Sequence, residues 1–217
     1  MEEAQPNSKE SIPHPRIQSL SDLIFGLALS IGAIVLLSQK PVDVIGLAVS
    51  LLGFGWSFTI LALVWVRYTR IMSVLPVETG KILAANILLL FLVAIEPYLY
   101  NLIPISFVSV PGQLDSGITT ALYSIDMGTI FVVLAYFTQE LTVEEKKLIP
   151  KELLRSYRLQ RNTVIVAAIL FLISALPVFW SISIMGFPAR FVMWMGPFLA
   201  WPVRRSLERE NKKTSPR

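Results

Sequence analysis

The sequence is dominated by long apolar segments, six of which have about the length needed to cross a lipid bilayer. A spanning helix requires about 20 mostly apolar residues. The segments run from Ile17 to Ser38, Val44 to Val66, Ile82 to Ile103, Ile118 to Phe137, Thr163 to Ile182 and Pro188 to Val203. Apolar residues make up 54% of the 217 residues and charged residues only 16%, too little polar surface for a soluble protein of this size. The sequence therefore predicts an all-α polytopic membrane protein with six transmembrane helices.

The distribution of Lys and Arg predicts the orientation of these helices. Alternate connections hold 17 of the 19 basic residues, and only Lys40 and Arg190 fall on the opposite side. Cytoplasmic loops are enriched in Lys and Arg, so both termini are expected in the cytoplasm. The chain then divides into a polar N-terminal tail (residues 1–15), a six-span domain (16–204) embedded in the lipid bilayer, and a basic C-terminal tail (205–217).

The composition excludes several classes of function. The chain has no Cys and a single His, His14, which removes disulfides, thiolate metal sites and His-paired nucleophilic catalysis. We therefore predict no catalytic residue, no metal site and no cofactor, and an integral-membrane enzyme is the least favoured class. The basic residues follow the sides of the membrane, so nucleic acid is not an expected partner.

Three acidic residues lie inside the predicted spans, where a charge costs about 2.5 kcal/mol or more. Glu96, before Pro97, is most simply an acid that reaches the outer membrane interface beside a proline. Asp126 lies near the middle of the fourth span and needs either a buried partner or a proton. A secondary or proton-coupled transporter that uses Asp126 and Glu96 as relays therefore remains an alternative function.

The third acid, Asp22, has polar company on neighbouring spans. The predicted topology brings Trp65 and Asn86 into the same cytoplasmic-side layer as Asp22. Arg16 lies six residues before Asp22, roughly 120° away around a helix, so it is poorly placed to pair with this acid. We expect Asp22 to accept a hydrogen bond from Trp65 or Asn86. A hydrogen-bonded clamp that only packs the helices is the simpler interpretation of this layer.

The residues around Asp22 form a pattern that resembles a known family. The run from Arg16 through Leu20 and Ser21 to Asp22 is similar to the R-x-x-x-F-S-D signature of the transmembrane protein 175 family of potassium channels, in its prokaryotic form with a single six-helix unit. Trp65 in the second span, and Asn86 and Pro97 in the third, resemble the helices that follow in this family. The chain departs from the pattern at Leu20, where the family has Phe, and at Tyr68, where it usually has His.

This resemblance implies a function, an assembly and a set of pore residues. It implies passive conduction of potassium ions by a homotetramer in a prokaryotic cell membrane, through a central pore lined by the first helix of each subunit. The implied pore-lining residues are Leu27, Ser30, Ile31 and Ile34, with the apolar side chains forming rings that constrict and dewet the path. No glycine-rich carbonyl filter is implied, and the sequence contains none.

Overall fold

The computed structural model describes residues 15–38, 43–75, 80–103, 116–146, 148–184, 187–196 and 198. The C-terminal tail and residues 1–14 of the N-terminal tail lie outside this part. The described elements are α1 (Pro15–Ser38), α2 (Val44–Met72), α3 (Gly80–Asn101), α4 (Ser116–Thr142), a 3₁₀ turn (Glu144–Lys146), α5 (Lys151–Ser174), α6 (Val178–Ser181), β1 (Ser183–Ile184), β2 (Phe187–Pro188) and α7 (Ala189–Trp194). The predicted all-α class is thus confirmed for these residues, apart from one antiparallel pair of two-residue strands.

Several helix boundaries follow directly from local sequence. The Asp43 side chain accepts a hydrogen bond of 2.7 Å from the Gly46 backbone N–H and so caps the start of α2. Pro150, Pro177 and Pro188 each immediately precede a helix. Proline suits this position because the first helical turn has no acceptor for its backbone N–H groups.

The helices pack as a chain of neighbours. α1 contacts both α2 and α3, α3 contacts α4, α4 contacts α5, and the short α7 contacts α5. α4 and α5 are antiparallel, because Ser174 bonds to Ser124 near one end of the pair and Arg161 to Gln139 near the other. The buried apolar core lies mainly between α2, α3, α4 and α5.

Four of these helices, α1 to α4, are long and apolar enough to cross a membrane among the residues the structure describes. They coincide with the first four predicted spans, although α2 and α4 continue to Met72 and Thr142, beyond the predicted ends at Val66 and Phe137. The sixth predicted span is described only in part, so the total of six spans stays a prediction.

The fifth predicted span, Thr163 to Ile182, is not one continuous helix. α5 begins at Lys151, in the charged segment, and ends at Ser174, and the separate short helix α6 follows. Pro177 explains the break, since it has no backbone N–H and disfavours the helical conformation of the residue before it. The apolar composition of this segment was correctly recognised, but its helical boundaries were not.

A small residue allows α4 and α5 to approach closely. A Cβ atom added at Gly128 would lie 2.7 Å from the Leu172 side chain and 3.4 Å from its backbone nitrogen. We expect Gly128→Val to lower the free energy of unfolding by about 1–3 kcal/mol, because branched methyl groups would force the helices apart. Thermal unfolding of the purified protein in detergent measures this change.

Gly55→Val is the matched control, since a Cβ atom at Gly55 meets nothing within 4 Å and the change in helix propensity is the same. Equal unfolding midpoints for the two variants would contradict the close approach of α4 and α5.

Candidate functional site in the first three helices

Polar side chains from α1, α2 and α3 meet at one end of these helices, which we call the Asp22 end. The Tyr68 hydroxyl donates to Asn86 Oδ1 at 2.8 Å and lies 2.6 Å from Ser21 Oγ. A tyrosine hydroxyl carries one hydrogen, so Ser21 is the donor in the second bond. All three side chains are buried. The Tyr68 hydroxyl thus bridges α1 and α3 and satisfies buried polar groups on both helices.

A second hydrogen bond joins α1 and α2 at the surface of the same layer. Trp65 Nε1 donates to Asp22 Oδ1 at 3.0 Å, and both side chains are exposed in the protomer. Trp65 is one of the two donors that the sequence suggested for Asp22. The other, Asn86, instead accepts from Tyr68.

The remaining signature residues take no visible part in these bonds. Leu20 is 52% exposed and lies outside the network. Arg16 begins the signature, and its side chain lies outside the described part of the structure.

The Tyr68 ring packs against Phe25 of α1 with ring centroids 5.4 Å apart. The departure from the family pattern at Tyr68 therefore coincides with a residue that binds α1 through both its hydroxyl and its ring.

α1 presents one exposed face opposite the face that packs on α2 and α3. Leu27 is 57% and Ile34 is 63% exposed, and Ser30 is exposed between them. Ile31 is half-buried at the edge of this face. Leu23, which the sequence did not single out, is 68% exposed and lies one turn before Leu27. The four residues Leu23, Leu27, Ser30 and Ile34 form what we call the α1 stripe.

α1 is also the span that the protomer buries least. Of its most apolar 18-residue window, 17% of residues are buried, compared with 67% for the corresponding window of α4. The exposed α1 surface must therefore face lipid, water or another subunit. Gly26, where an added Cβ would meet nothing within 4 Å, lies on this exposed side.

A second polar group lies toward the opposite end of α2 and α3, which we call the Glu96 end. Glu96 is 0% exposed and accepts a hydrogen bond from Ser57 Oγ on α2. Its side chain is therefore buried against a neighbouring helix and does not reach out of the protein as the sequence suggested. Nothing in the sequence pairs Ser57 with Glu96, because the two residues are 39 positions apart and Ser57 lies in a span without charges. Asp126 on α4 is 4% exposed, and neither of its oxygens accepts a hydrogen bond from any residue the structure describes.

The bonds that join Ser21, Tyr68 and Asn86, and the bond between Trp65 and Asp22, form what we call the Asp22 network. The sequence comparisons concern the helices that carry it. Residues 16–97 match the family model described as endosomal/lysosomal potassium channel TMEM175. The segment that comprises α1 to α3 is therefore similar to the TMEM175 family. The match begins at the first residue of the signature and ends at Pro97, and it confirms the family resemblance. No curated protein matches the chain.

Solved TMEM175 structures resemble the whole described fold. A lysosomal potassium-selective channel TMEM175 homolog from Chamaesiphon minutus is 20% identical with a TM-score of 0.57, over 88% of this chain and 95% of that chain. A variant of the potassium channel MtTMEM175, crystallised with a nanobody–MBP fusion protein, is 18% identical with a TM-score of 0.57, over 97% and 99% of the two chains. At these identities the likeness shows a shared fold. The shared fold and the long apolar helices together identify the chain as a multi-pass integral membrane protein.

The Tyr68 hydroxyl provides a test of the Asp22 network. Tyr68→Phe keeps the ring contact with Phe25 but removes the hydroxyl that bonds to Ser21 and to Asn86. We expect a loss of about 1–2 kcal/mol in the free energy of unfolding, measured by thermal unfolding in detergent.

Tyr98→Phe provides the control on α3, because Tyr98 is 61% exposed and the substitution is chemically the same. If the two variants were equally stable, the Tyr68 bridge would contribute nothing to the folded protein.

Proposed function

We propose that the protein is a subunit of a potassium channel that conducts passively through a central pore lined by α1 of four identical subunits. The main support is the α1 stripe, which is exposed on the span that the protomer itself buries least. The TMEM175 match over residues 16–97 and the potassium channels among the solved structures support potassium as the conducted ion. In a ring of four copies, the exposed faces of the four α1 helices would line a water-filled path along the axis.

The α1 stripe combines the two properties that such a pore needs. Leu27 and Ile34 would each contribute an apolar ring of four side chains, which can close a narrow path by dewetting. Ile31, at the edge of the stripe, would support the ring at Leu27. Ser30 donates its hydroxyl hydrogen to the Gly26 carbonyl at 2.8 Å. The lone pairs of the Ser30 oxygen then remain available as ligands for a partly dehydrated cation.

The Asp22 network would hold α1 in the rotation that this pore requires. Ser21 and Phe25 attach one face of α1 to Tyr68, and Ala28 is buried one turn further along. With this face fixed to its own subunit, the stripe on the opposite face is left for the axis. A role in assembly rather than in ion contact fits the positions of Ser21, Tyr68 and Asn86, which are all buried.

We further propose the membrane topology and domain limits. Six spans with both termini in the cytoplasm would place residues 16–204 in the channel domain of a prokaryotic cell membrane, and the Asp22 end on the cytoplasmic side. The support is the distribution of 17 of 19 basic residues on one side.

Cysteine labelling tests this topology cleanly because the native chain has no Cys. We expect an impermeant thiol reagent applied to intact cells to label Val44→Cys at the start of α2 and to leave Glu152→Cys at the start of α5 unlabelled. Both positions are exposed in the protomer. Labelling at residue 152 with none at residue 44 would reverse the assigned orientation.

The α1 stripe is tested by making its apolar ring polar. Leu27→Asn, a nearly isosteric change, should wet the narrowest stretch and increase the potassium current at fixed voltage several-fold. Planar-bilayer recording of the purified protein in asymmetric KCl and NaCl measures the current and also ranks the two ions.

Leu29→Asn is the control, since Leu29 is half-buried against the core and lies roughly 200° around the helix from Leu27. This change should reduce stability without increasing the current. A larger current for Leu29→Asn alone would mean that the opposite face of α1 lines the pore. No change in either folded variant would remove α1 from the pore.

The transporter alternative is not favoured by the comparisons, which are to potassium channels. Unitary currents far above a carrier's turnover rate would separate the two functions in the same recordings.

A further inference from the structure

Two carboxyl groups are buried inside the protomer, away from the α1 stripe. Glu96 on α3 and Asp126 on α4 lie close enough to interact electrostatically. The Tyr123 side chain is fully buried, and its hydroxyl lies close enough to both acids to interact with them. With Ser57, these three residues form what we call the acid cluster. The proposed pore mechanism uses none of them.

The contact between Ser57 and Glu96 favours a protonated carboxyl. Ser57 Oγ lies 3.0 Å from Glu96 Oε1 and 3.1 Å from Oε2. The serine hydroxyl has one hydrogen and can donate a full hydrogen bond to only one of these oxygens. If the other oxygen carries a proton, it donates back to Ser57 Oγ, and both short contacts become hydrogen bonds. The ionised carboxylate would receive only one hydrogen bond from Ser57.

The surroundings of Asp126 favour the neutral form more strongly. Both of its oxygens are buried, and neither has a hydrogen-bond donor among the residues the structure describes. An ionised carboxylate needs several donors or a cation, and burying it without them costs far more than burying a neutral acid. Asp126 therefore has the environment of a carboxylic acid.

Among the described residues, neither acid forms a salt bridge with a basic side chain, and the ion pairs Lys146–Glu140 and Arg158–Glu144 involve other acids. From α2, Ser57 contacts Glu96 and Trp56 lies beside Tyr123, and neither side chain titrates as an acid or base. α3 adds Tyr100, and α4 adds Tyr123. On α7, the buried Arg190 donates to Thr120 on α4.

A cleft between the first three helices reaches the acid cluster at Ser57. A cleft of about 430 Å³, including its open mouth, lies between α1, α2 and α3 at the Glu96 end. The α1 part of its wall, at Gly32, Val35 and Leu36, contains no titratable group. Ser57 lines this cleft and also contacts Glu96, so its hydroxyl lies between the cleft and the buried carboxyl.

We propose that Glu96 and Asp126 form a proton-binding site, reached through the cleft at the Glu96 end, whose occupancy holds α2, α3 and α4 together. When the site loses a proton, the proton passes by way of Ser57 to water in the cleft, and a negative charge remains among apolar side chains. The charge draws water between the helices and loosens their packing. The effect on conduction, a smaller current at alkaline pH on the cleft side, rests on the proposed channel function, whereas proton binding does not.

Thermal unfolding of the purified full chain, from about pH 5 to about pH 9, tests the site without any current. We expect the midpoint of the wild-type protein to fall by several degrees as the pH rises, because the unfolded chain exposes both acids to water and ionises them freely. Glu96→Gln should reduce this fall, since an amide keeps a donor and an acceptor beside Ser57 but cannot ionise, and the fall that remains belongs to Asp126.

Asp43→Asn is the matched control. Asp43 is an exposed acid at the same end of α2, and Asn retains the oxygen that caps Gly46. This variant should keep the pH dependence of the wild-type protein. A full pH dependence in Glu96→Gln, or its loss in Asp43→Asn, would overturn the proposed site.

Infrared spectroscopy decides the question if Glu96→Gln does not fold. The wild-type protein should show the C=O stretch of a carboxylic acid at neutral pH, and Asp126→Asn should weaken it. Absence of this band in the wild-type protein would overturn the proposal. If the midpoint also rose with KCl at constant ionic strength, a metal cation rather than a proton would neutralise the carboxyl groups.

Bilayer recordings with the pH changed on one side at a time separate this proposal from the channel function. A current that falls only when the cleft side is made alkaline supports both the proton-binding site and the channel function. A pH-dependent midpoint without any current would leave the proton site standing and remove the channel. Currents that respond only to pH on the opposite side would exclude the cleft as the proton's route.

Discussion

Inside a lipid bilayer every polar group of a helix must find its partner within the protein, and this constraint organises the packing of α1, α2 and α3. Helices gain little from apolar contact with each other when lipid is equally apolar, so a few hydrogen bonds can decide their arrangement. The Tyr68 hydroxyl meets the constraint for Ser21 and Asn86 at once. One hydroxyl thereby sets the rotation of α1 relative to α3.

The same constraint explains which parts of the site the sequence could predict. Asp22 was expected to pair with Trp65 or Asn86 because a charge in a span needs a donor and the topology brings few within reach. The structure has the Trp65 bond. Tyr68 was harder, since a tyrosine at a helix end gives the same pattern whether it faces solvent or joins two helices. Leu23 gave no signal at all, because exposed and buried leucines look alike in an apolar span.

The errors at Glu96 and in the fifth span have different causes. Pro97 made an interfacial Glu96 seem natural, but the position of that carboxyl depends on Ser57, a partner that only the packing of α2 on α3 reveals. The end of α5 was readable, since Pro177 stands where an α-helix cannot easily continue. A prediction of spans from the length of apolar segments considers composition alone and therefore misses such a break in the helix. The family signature was the most informative local pattern, because it ties Arg16 to Asp22 at fixed spacing.

The two polar layers differ in a way that suits a channel subunit. Around Ser21, Tyr68 and Asn86 the buried bonds join hydroxyl and amide groups, whose charge does not change across the physiological range of pH. The acid cluster, by contrast, contains two carboxyl groups that gain or lose charge with a proton. The buried bonds of Ser21, Tyr68 and Asn86 can therefore hold α1 in one rotation across this range of pH, while the acid cluster can respond to pH. Separation of the two layers toward opposite ends of α2 and α3 would let the protomer change its packing near Glu96 without releasing the α1 stripe.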